Sequence, residues 1–190
     1  MKRWYVAVMA VVVLALGARV DMARAEMAAG EHRNGGLGFH TVDAPIGVRW
    51  WLNGQKIGID AGIGFGQTPS APDPDEKLMN WTVDFGVPIV MHSWERVHVM
   101  FRPGLTYSSQ EEVTSVTPTF ETDDRTQFDV NAEIEGELFL ANNFSISASH
   151  GLRFSSVSPS GGGDSRTSFG TFGNNFTNVG FHIYFLGGSQ

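Results

Sequence analysis

Charged residues in this chain fall at every second position within apolar stretches: Arg49, Lys56, Asp60, Asp84, Arg102, Asp129, Glu133, Glu135, Glu137 and Arg153, with His40, His98 and His182 in the same phase. Carboxylates this close could work as a general acid and base, or hold a divalent cation. Either chemistry needs groups that converge on one point, and the spacing does not establish that convergence. Charges on the enclosed face of a sheet more commonly neutralise one another, because a buried charge without a partner is costly. The expectation is therefore a structural ion network built from Arg49, Asp60, Asp84, Arg102, Asp129, Glu133, Glu135 and Arg153. No catalytic, cofactor-binding or metal-ligating residue is assigned, and no cofactor is expected.

The elements that must carry these charges are β-strands. Between Lys56 and Gly66 every odd position is apolar, while every even one is Gly, Lys or Asp. A strand sends successive side chains to opposite faces, so the segment has one apolar face and one small, polar face. The same rhythm gives eight strands, at 37–42, 46–52, 56–66, 78–92, 97–108, 126–141, 144–157 and 176–185. Short turns lie at 53–54, 93–96 and 142–143, the first an Asn-Gly hairpin signal. Long connections rich in Pro, Gly, Ser, Thr and acids lie at 67–77, 110–125 and 158–175. The link at 43–45 is the one short connection that breaks this alternation.

Turn lengths also set cross-strand partners. A two-residue hairpin at Asn53-Gly54 puts Arg49 opposite Gly58, with Asp60 and Lys56 as diagonal neighbours. A three-residue turn centred on Asn142 puts Arg153 opposite Asn131, flanked by Asp129 and Glu133. Arg102 comes within reach of Asp84 in one register. Diagonal neighbours are close enough for long side chains to meet. Pro88 and Pro103 fall inside proposed strands and predict bulges there, since a closed sheet has no free edge to hide a missing N–H.

Residues 1–25 read as a cleaved export signal. Lys2 and Arg3 precede an uncharged apolar run at 4–16, and Ala23-Arg24-Ala25 offers a small-x-small cleavage site before Glu26. The run is too short to span a bilayer as a helix. A short periplasmic segment at 26–35 would then lead into a barrel at 36–187. Without the signal, acidic residues outnumber basic ones even more than the 20 to 13 of the whole chain, which disfavours nucleic acid as a partner. Cysteine is absent, so thiol chemistry and disulfides play no part.

Alternation alone does not say which face is outside, because a soluble lipocalin-like barrel shows the same rhythm with its apolar face inward. Volume decides. Trp50, Trp81, Phe65, Phe85, Phe101, Phe128, Phe154 and Phe181 share the apolar face, and an eight-stranded barrel has an interior just wide enough for its inward side chains. The opposite face carries many glycines, which suit a crowded lumen. The apolar face is therefore expected to meet lipid, with aromatic residues gathered near both ends of the strands. Phe65, Trp81, Tyr107, Phe128 and Phe154 lie toward the long loops, and Trp50, Phe144 and Phe185 toward the turns.

The last strand, Asn178-Val179-Gly180-Phe181-His182-Ile183-Tyr184-Phe185, resembles the terminal assembly signal of bacterial outer-membrane proteins at Asn178, Gly180, Ile183 and Phe185. The chain departs from that pattern in continuing to Gln190. Together with the leader and the alternating loop lengths, the whole resembles small eight-stranded outer-membrane barrels of the OmpA and OmpX type. The resemblance implies an all-β, antiparallel, up-and-down transmembrane barrel with a filled polar lumen, in the outer membrane of a Gram-negative envelope. The implied partners are outer-membrane lipid, lipopolysaccharide and the barrel-assembly machinery.

Other candidates are weaker. His150 falls on the lipid-facing side in mid-strand, where outer-membrane lipid A deacylases use a His, but those enzymes have Ser two residues later and this chain has Leu152. Acidic clusters at Asp73, Asp75 and Glu76 and at Glu121, Asp123 and Asp124 could share divalent cations with lipopolysaccharide, although solvated loop charge accounts for them. Asn143 and Asn175 match glycosylation acceptors only formally. The expected role is non-enzymatic, envelope-structural or surface-interacting, with the three long loops displayed outside. The alternatives are a narrow channel for small solutes and, behind it, a lipid-modifying enzyme.

Overall fold

The computed structural model describes residues 33–39, 41–52, 54–70, 75–115, 121–171 and 177–187. Ten strands account for nearly all of them: β1 (Arg33–Phe39), β2 (Ile46–Leu52), β3 (Ile57–Pro69), β4 (Lys77–Gly86), β5 (Ile89–Ser93), β6 (Val97–Ser115), β7 (Glu121–Ala141), β8 (Phe144–Ser158), β9 (Arg166–Gly170) and β10 (Asn178–Gly187). All pairings are antiparallel, and β10 pairs with both β1 and β8, which closes the sheet on itself. The architecture is an eight-stranded up-and-down β-barrel. Ten strands make eight staves because two staves are interrupted.

The first interruption falls between β4 and β5, where 78–92 had been expected as one strand. Val87 and Pro88 leave the ladder, and the stave resumes with Ile89 opposite Phe101. Val87 N–H donates to the Pro103 carbonyl at 3.0 Å, and Gly58 N–H to that of Pro88 at 2.8 Å. A residue in an antiparallel ladder points its nitrogen and its carbonyl to the same neighbour. The missing donor of Pro103 therefore faces the break at Val87–Pro88, and the two prolines share one defect. The second interruption divides the last stave. β9 pairs with the outer half of β8, from Arg153↔Gly170 to Val157↔Arg166, and β10 pairs with the inner half, from Ser149↔Asn178 to Phe144↔Ile183. The loop expected at 158–175 therefore contains a strand, and a 3₁₀ turn at Ser160–Gly162.

Two further boundaries differ from expectation. β1 runs from Arg33 to Phe39 rather than 37–42, so residues 33–35 belong to the wall and not to a preceding segment. Thr41 instead closes a turn by accepting the Ala44 N–H at 2.9 Å. The Asn53-Gly54 hairpin is also wider than two residues: Leu52 stands opposite Ile57, with Gly54 and Gln55 both at φ 63°. This moves β3 by two places against β2. A shift of two keeps every side chain on its face while changing every neighbour. Arg49 consequently stands directly opposite Asp60, and Lys56 lies exposed in the turn instead of on the inward face.

Burial alternates strictly where one face is enclosed. β2 reads exposed-buried throughout, and the inward residues of β7, from Asp129 to Glu137, are all buried. The enclosed face is the polar one. Arg49, Asp60, Asp84, Arg102, Glu133, Glu135 and Glu137 are each 5% exposed or less, whereas Ile59, Ile63, Phe65, Val83, Phe85, Leu105, Ile134, Ile146, Leu152 and Ile183 lie open on the outer wall. At the outer end β6 and β7 continue past their neighbours. Pairing with β4 ends at Gln110 and pairing with β8 at Thr126, leaving the hairpin to project by roughly five residues, or about 17 Å of strand.

Candidate functional site

Among the described residues, buried charges gather in the lumen, whose wall is set by strand parity. Because β2, β3, β4, β6 and β7 present alternate residues inward, charges far apart in sequence meet on the barrel axis. Arg49 donates from Nε to Asp60 Oδ1 and from Nη2 to Asp60 Oδ2, both at 2.8 Å. The same Nη2 reaches Glu135 Oε1 at 2.7 Å on the far wall, and Nη1 lies 3.4 Å from Glu137 Oε2. Arg102 donates from Nε to Asp60 Oδ2 at 3.0 Å, from Nη2 to Asp84 Oδ2 at 2.9 Å and from Nη1 to Glu133 Oε1 at 3.3 Å. Asp60 is thus shared by both guanidiniums. Glycine makes room for this crossing: a Cβ at Gly86 would collide with the Arg102 guanidinium.

Arg153 and Asp129 form a separate layer nearer the long loops. Arg153 Nη1 lies 3.7 Å from Asp129 Oδ2, and its Nε donates to Asn131 Oδ1 at 3.3 Å, its direct cross-strand partner. Gln127 donates to the same carboxylate at 2.9 Å, and Asn131 donates to Thr106 Oγ1 at 3.0 Å.

The central layer places the carboxylates of Asp60, Asp84, Glu133, Glu135 and Glu137 against only two guanidiniums, so it has more acceptor oxygens than the arginines can satisfy. Hydroxyl and amide donors supply part of the balance, while Glu137 Oε2 accepts no hydrogen bond. Ser149 donates to Glu133, Asn178 Nδ2 donates to the same carboxylate at 3.4 Å, and Ser145 and Tyr184 donate to Glu137 Oε1 at 2.6 and 2.7 Å. Trp51 Nε1 in turn donates to the Tyr184 hydroxyl at 3.3 Å. His98 and His182 flank Glu137, their Nδ1 atoms 4.0 and 3.9 Å from its oxygens. Below them the lumen turns apolar, with Met100, Trp51 and Tyr184 packed against Val90 and Phe139.

Glu137, inward by its phase but outside the network expected from sequence, belongs to it, and Trp51, Ser145, Ser149 and Tyr184 join it with no such expectation. One signal was available: Ser145, Ser147 and Ser149 alternate in the same phase as Glu133, Glu135 and Glu137 on the adjacent strand, and Ser149↔Glu135 and Ser147↔Glu137 are direct partners. In the terminal strand Asn178 and Gly180 face inward, while Ile183 and Phe185 lie exposed on the outer wall. His40 lies outside the described residues.

Little space remains. A cavity of about 10 Å³, measured for the centre of a water-sized sphere, lies between Arg49, Arg102, Glu133, Glu135 and Ser147. That is room for about one water and for no organic substrate. Among the described residues no group of three or more His, Asp or Glu could hold a metal ion. On the outer wall, His150 faces Ile134, and its Nδ1 lies 3.0 Å from Thr177 Oγ1. Two residues on, Leu152 supplies no nucleophile.

At the outer end, acidic side chains tie the projecting hairpin to its neighbours. Met79 N–H donates to Glu111 Oε2 at 2.7 Å, Ser160 Oγ to Glu112 Oε2 at 2.8 Å, and Gly161 N–H to Asp123 Oδ2 at 2.6 Å. The backbone donors of Gly161 and Asp124 hold the Asp123 carboxyl below its ordinary range.

No family model, curated protein or solved structure matches this chain.

Proposed function

We propose that the chain is an integral outer-membrane β-barrel, resembling the small filled-lumen barrels of the OmpA and OmpX type, with an envelope-structural or surface-interacting role and no catalytic activity. One observation carries the reading. The barrel is inside out relative to a soluble protein, with charges sealed within and Ile, Val, Leu, Phe and Trp side chains spread over the outer wall. Soluble monomers rarely expose apolar patches beyond a few hundred Å². A closed sheet with an outward apolar band leaves no unpaired backbone edge, which is what a bilayer demands.

Aromatic rings near both ends of the wall support it. Phe65 is paired with Trp81, the Trp81 and Tyr107 rings lie 5.2 Å apart, and Phe154 is paired with Phe169 toward the long loops. Toward the turns, Phe144, the first residue of β8, lies 6.1 Å from Phe181. Rings in such belts sit at headgroup level. The loops at 67–77, 110–125 and 158–175 would then face outward, toward lipopolysaccharide, and the export signal and terminal strand would bring the chain to the assembly machinery.

The crossed arginines argue against a channel, and a central cavity with room for about one water argues against a carrier of small molecules. The test is insertion. The refolded protein should co-float with phospholipid vesicles and migrate faster on a gel before boiling than after. A protein that stays soluble and monomeric without detergent would overturn the reading.

A further inference from the structure

The outward residues of β10, Val179, Phe181, Ile183 and Phe185, are all large and apolar, so they do not distinguish one register from another two residues away. Main-chain pairing does not distinguish them either. Sliding β10 by two preserves every face, and it changes the seams with β8 and β1 equally and oppositely, leaving the stagger of the barrel unaltered. Something else must fix where the terminal strand stops.

We propose that Tyr184 is a register latch, seated on Glu137 across the lumen, which fixes the closing strand in a single alignment. β7 and β10 are not neighbours in the sheet, yet the inward residues of β10 reach two carboxylates of β7: Asn178 binds Glu133, and Tyr184 binds Glu137 at 2.7 Å. Trp51 of β2 holds the tyrosine hydroxyl from a third stave at 3.3 Å. The seat is shaped as well as charged. A Cβ at Gly36 on β1 would stand 2.8 Å from Tyr184 Cδ1, so the ring lies over a position where only glycine fits unchanged. Glu137 is 0% exposed and is held by Ser145 and Arg49 whatever β10 does. The inward sequence Asn178, Gly180, His182, Tyr184 is different at every step. His182 already lies 3.9 Å from Glu137 in the native alignment, so the phenol is what distinguishes registers: a slip of two in either direction takes Tyr184 off its 2.7 Å contact with the carboxylate.

The latch rests on the barrel fold and, through its assay, on the membrane reading. Cysteine pairs on the outer wall report the register of the full chain refolded in detergent micelles. In the native alignment Leu37 stands opposite Ile183. Leu37→Cys with Ile183→Cys should crosslink, and Leu37→Cys with Phe181→Cys or Phe185→Cys should not. Adding Tyr184→Phe with Glu137→Gln should raise a slipped crosslink from background to an amount comparable with the native one. The decisive variant moves the latch: His182→Tyr with Tyr184→His should exchange the preferred pair from 37–183 to 37–181. Retention of the native pair alone in both backgrounds, in protein that still shows the heat-dependent gel shift, would overturn the latch and leave the membrane reading intact. If no variant and no parent shows that shift, it is the membrane reading that fails.

Discussion

Arg49 and Asp60 stand directly opposite one another on adjacent strands, and the guanidinium meets both carboxylate oxygens at 2.8 Å. The pair is bidentate, the strongest geometry open to these two groups. It is also buried, so its value lies less in net stability than in the penalty for breaking it.

Arg102 gives the clearest mutational test. Removing it leaves Asp60, Asp84 and Glu133 short of a partner in the closed lumen, at a cost of about 3–5 kcal/mol. Arg102→Ala should therefore lower the unboiled-to-boiled transition temperature on gels far more than Arg166→Ala, which truncates an exposed side chain in β9. Equal shifts would mean that the ion network contributes nothing specific.

Conductance tests the filling of the lumen. In planar bilayers the unmutated protein should show no steady current, since Arg49 crosses the axis to Glu135 on the far wall and Arg102 fills the space beside it between Asp60, Asp84 and Glu133. A stable open channel would replace this reading with passive transport.

Depth in the membrane is tested by charge on the outer wall. Arg in place of Ile59, Val83 or Ile134 should cost about 2–4 kcal/mol and impair folding into vesicles. Arg in place of Ser108, on the inward face toward the mouth, should be much milder. Equal tolerance at both sets would count against lipid around the barrel.

Acid should loosen the outer clasp. Asp123 is held below its usual range by accepting from Gly161 and Asp124, so its contribution is complete above its unfolded value of about 3.9 and is lost as pH falls through the lower folded value. The Gly161 amide should be protected from hydrogen exchange at neutral pH and lose that protection in strong acid. Asp123→Asn should weaken the protection at every pH, and NMR of the micellar protein reads both.

Protease should find the outer end before the inner one. Cleavage on intact cells is expected at 163–165, between the 3₁₀ turn and β9. The stretch 123–125, expected from sequence to be a loop, is paired strand in β7 and should resist. Cutting confined to 54–56 or 94–96 would invert the topology.

Faces were legible in the sequence wherever the two-residue period ran unbroken, as from Ile57 to Phe65, and so was the Arg153–Asn131 register, although the turn is two residues rather than three, with Ala141 opposite Phe144, and an irregularity between Phe139 and Ala141 makes up the difference. Partners were lost where one turn was mis-sized. The Asn53-Gly54 signal suggests two residues, but Gly54 and Gln55 both occupy the left-handed region in a longer turn, and Arg49 gained Asp60 as a direct partner. β9 was hidden for a different reason. Its five residues, Arg-Thr-Ser-Phe-Gly, are nearly all exposed and hold a single large apolar side chain, so no apolar alternation marks them. Tyr184 escaped notice because an aromatic among aromatics gives no sign of facing inward until closure brings Glu137 to meet it.

Asp60, held between Arg49 and Arg102, also restricts how such a lumen changes by descent. Asp84 contacts one arginine and could be exchanged for another acceptor by a local adjustment. Asp60 has no such freedom, since any single replacement disturbs two guanidiniums on opposite sides of it at once. Variants that retain the fold should therefore be found to have altered these three positions jointly, as a block inherited whole, while the outer wall drifts one apolar residue at a time.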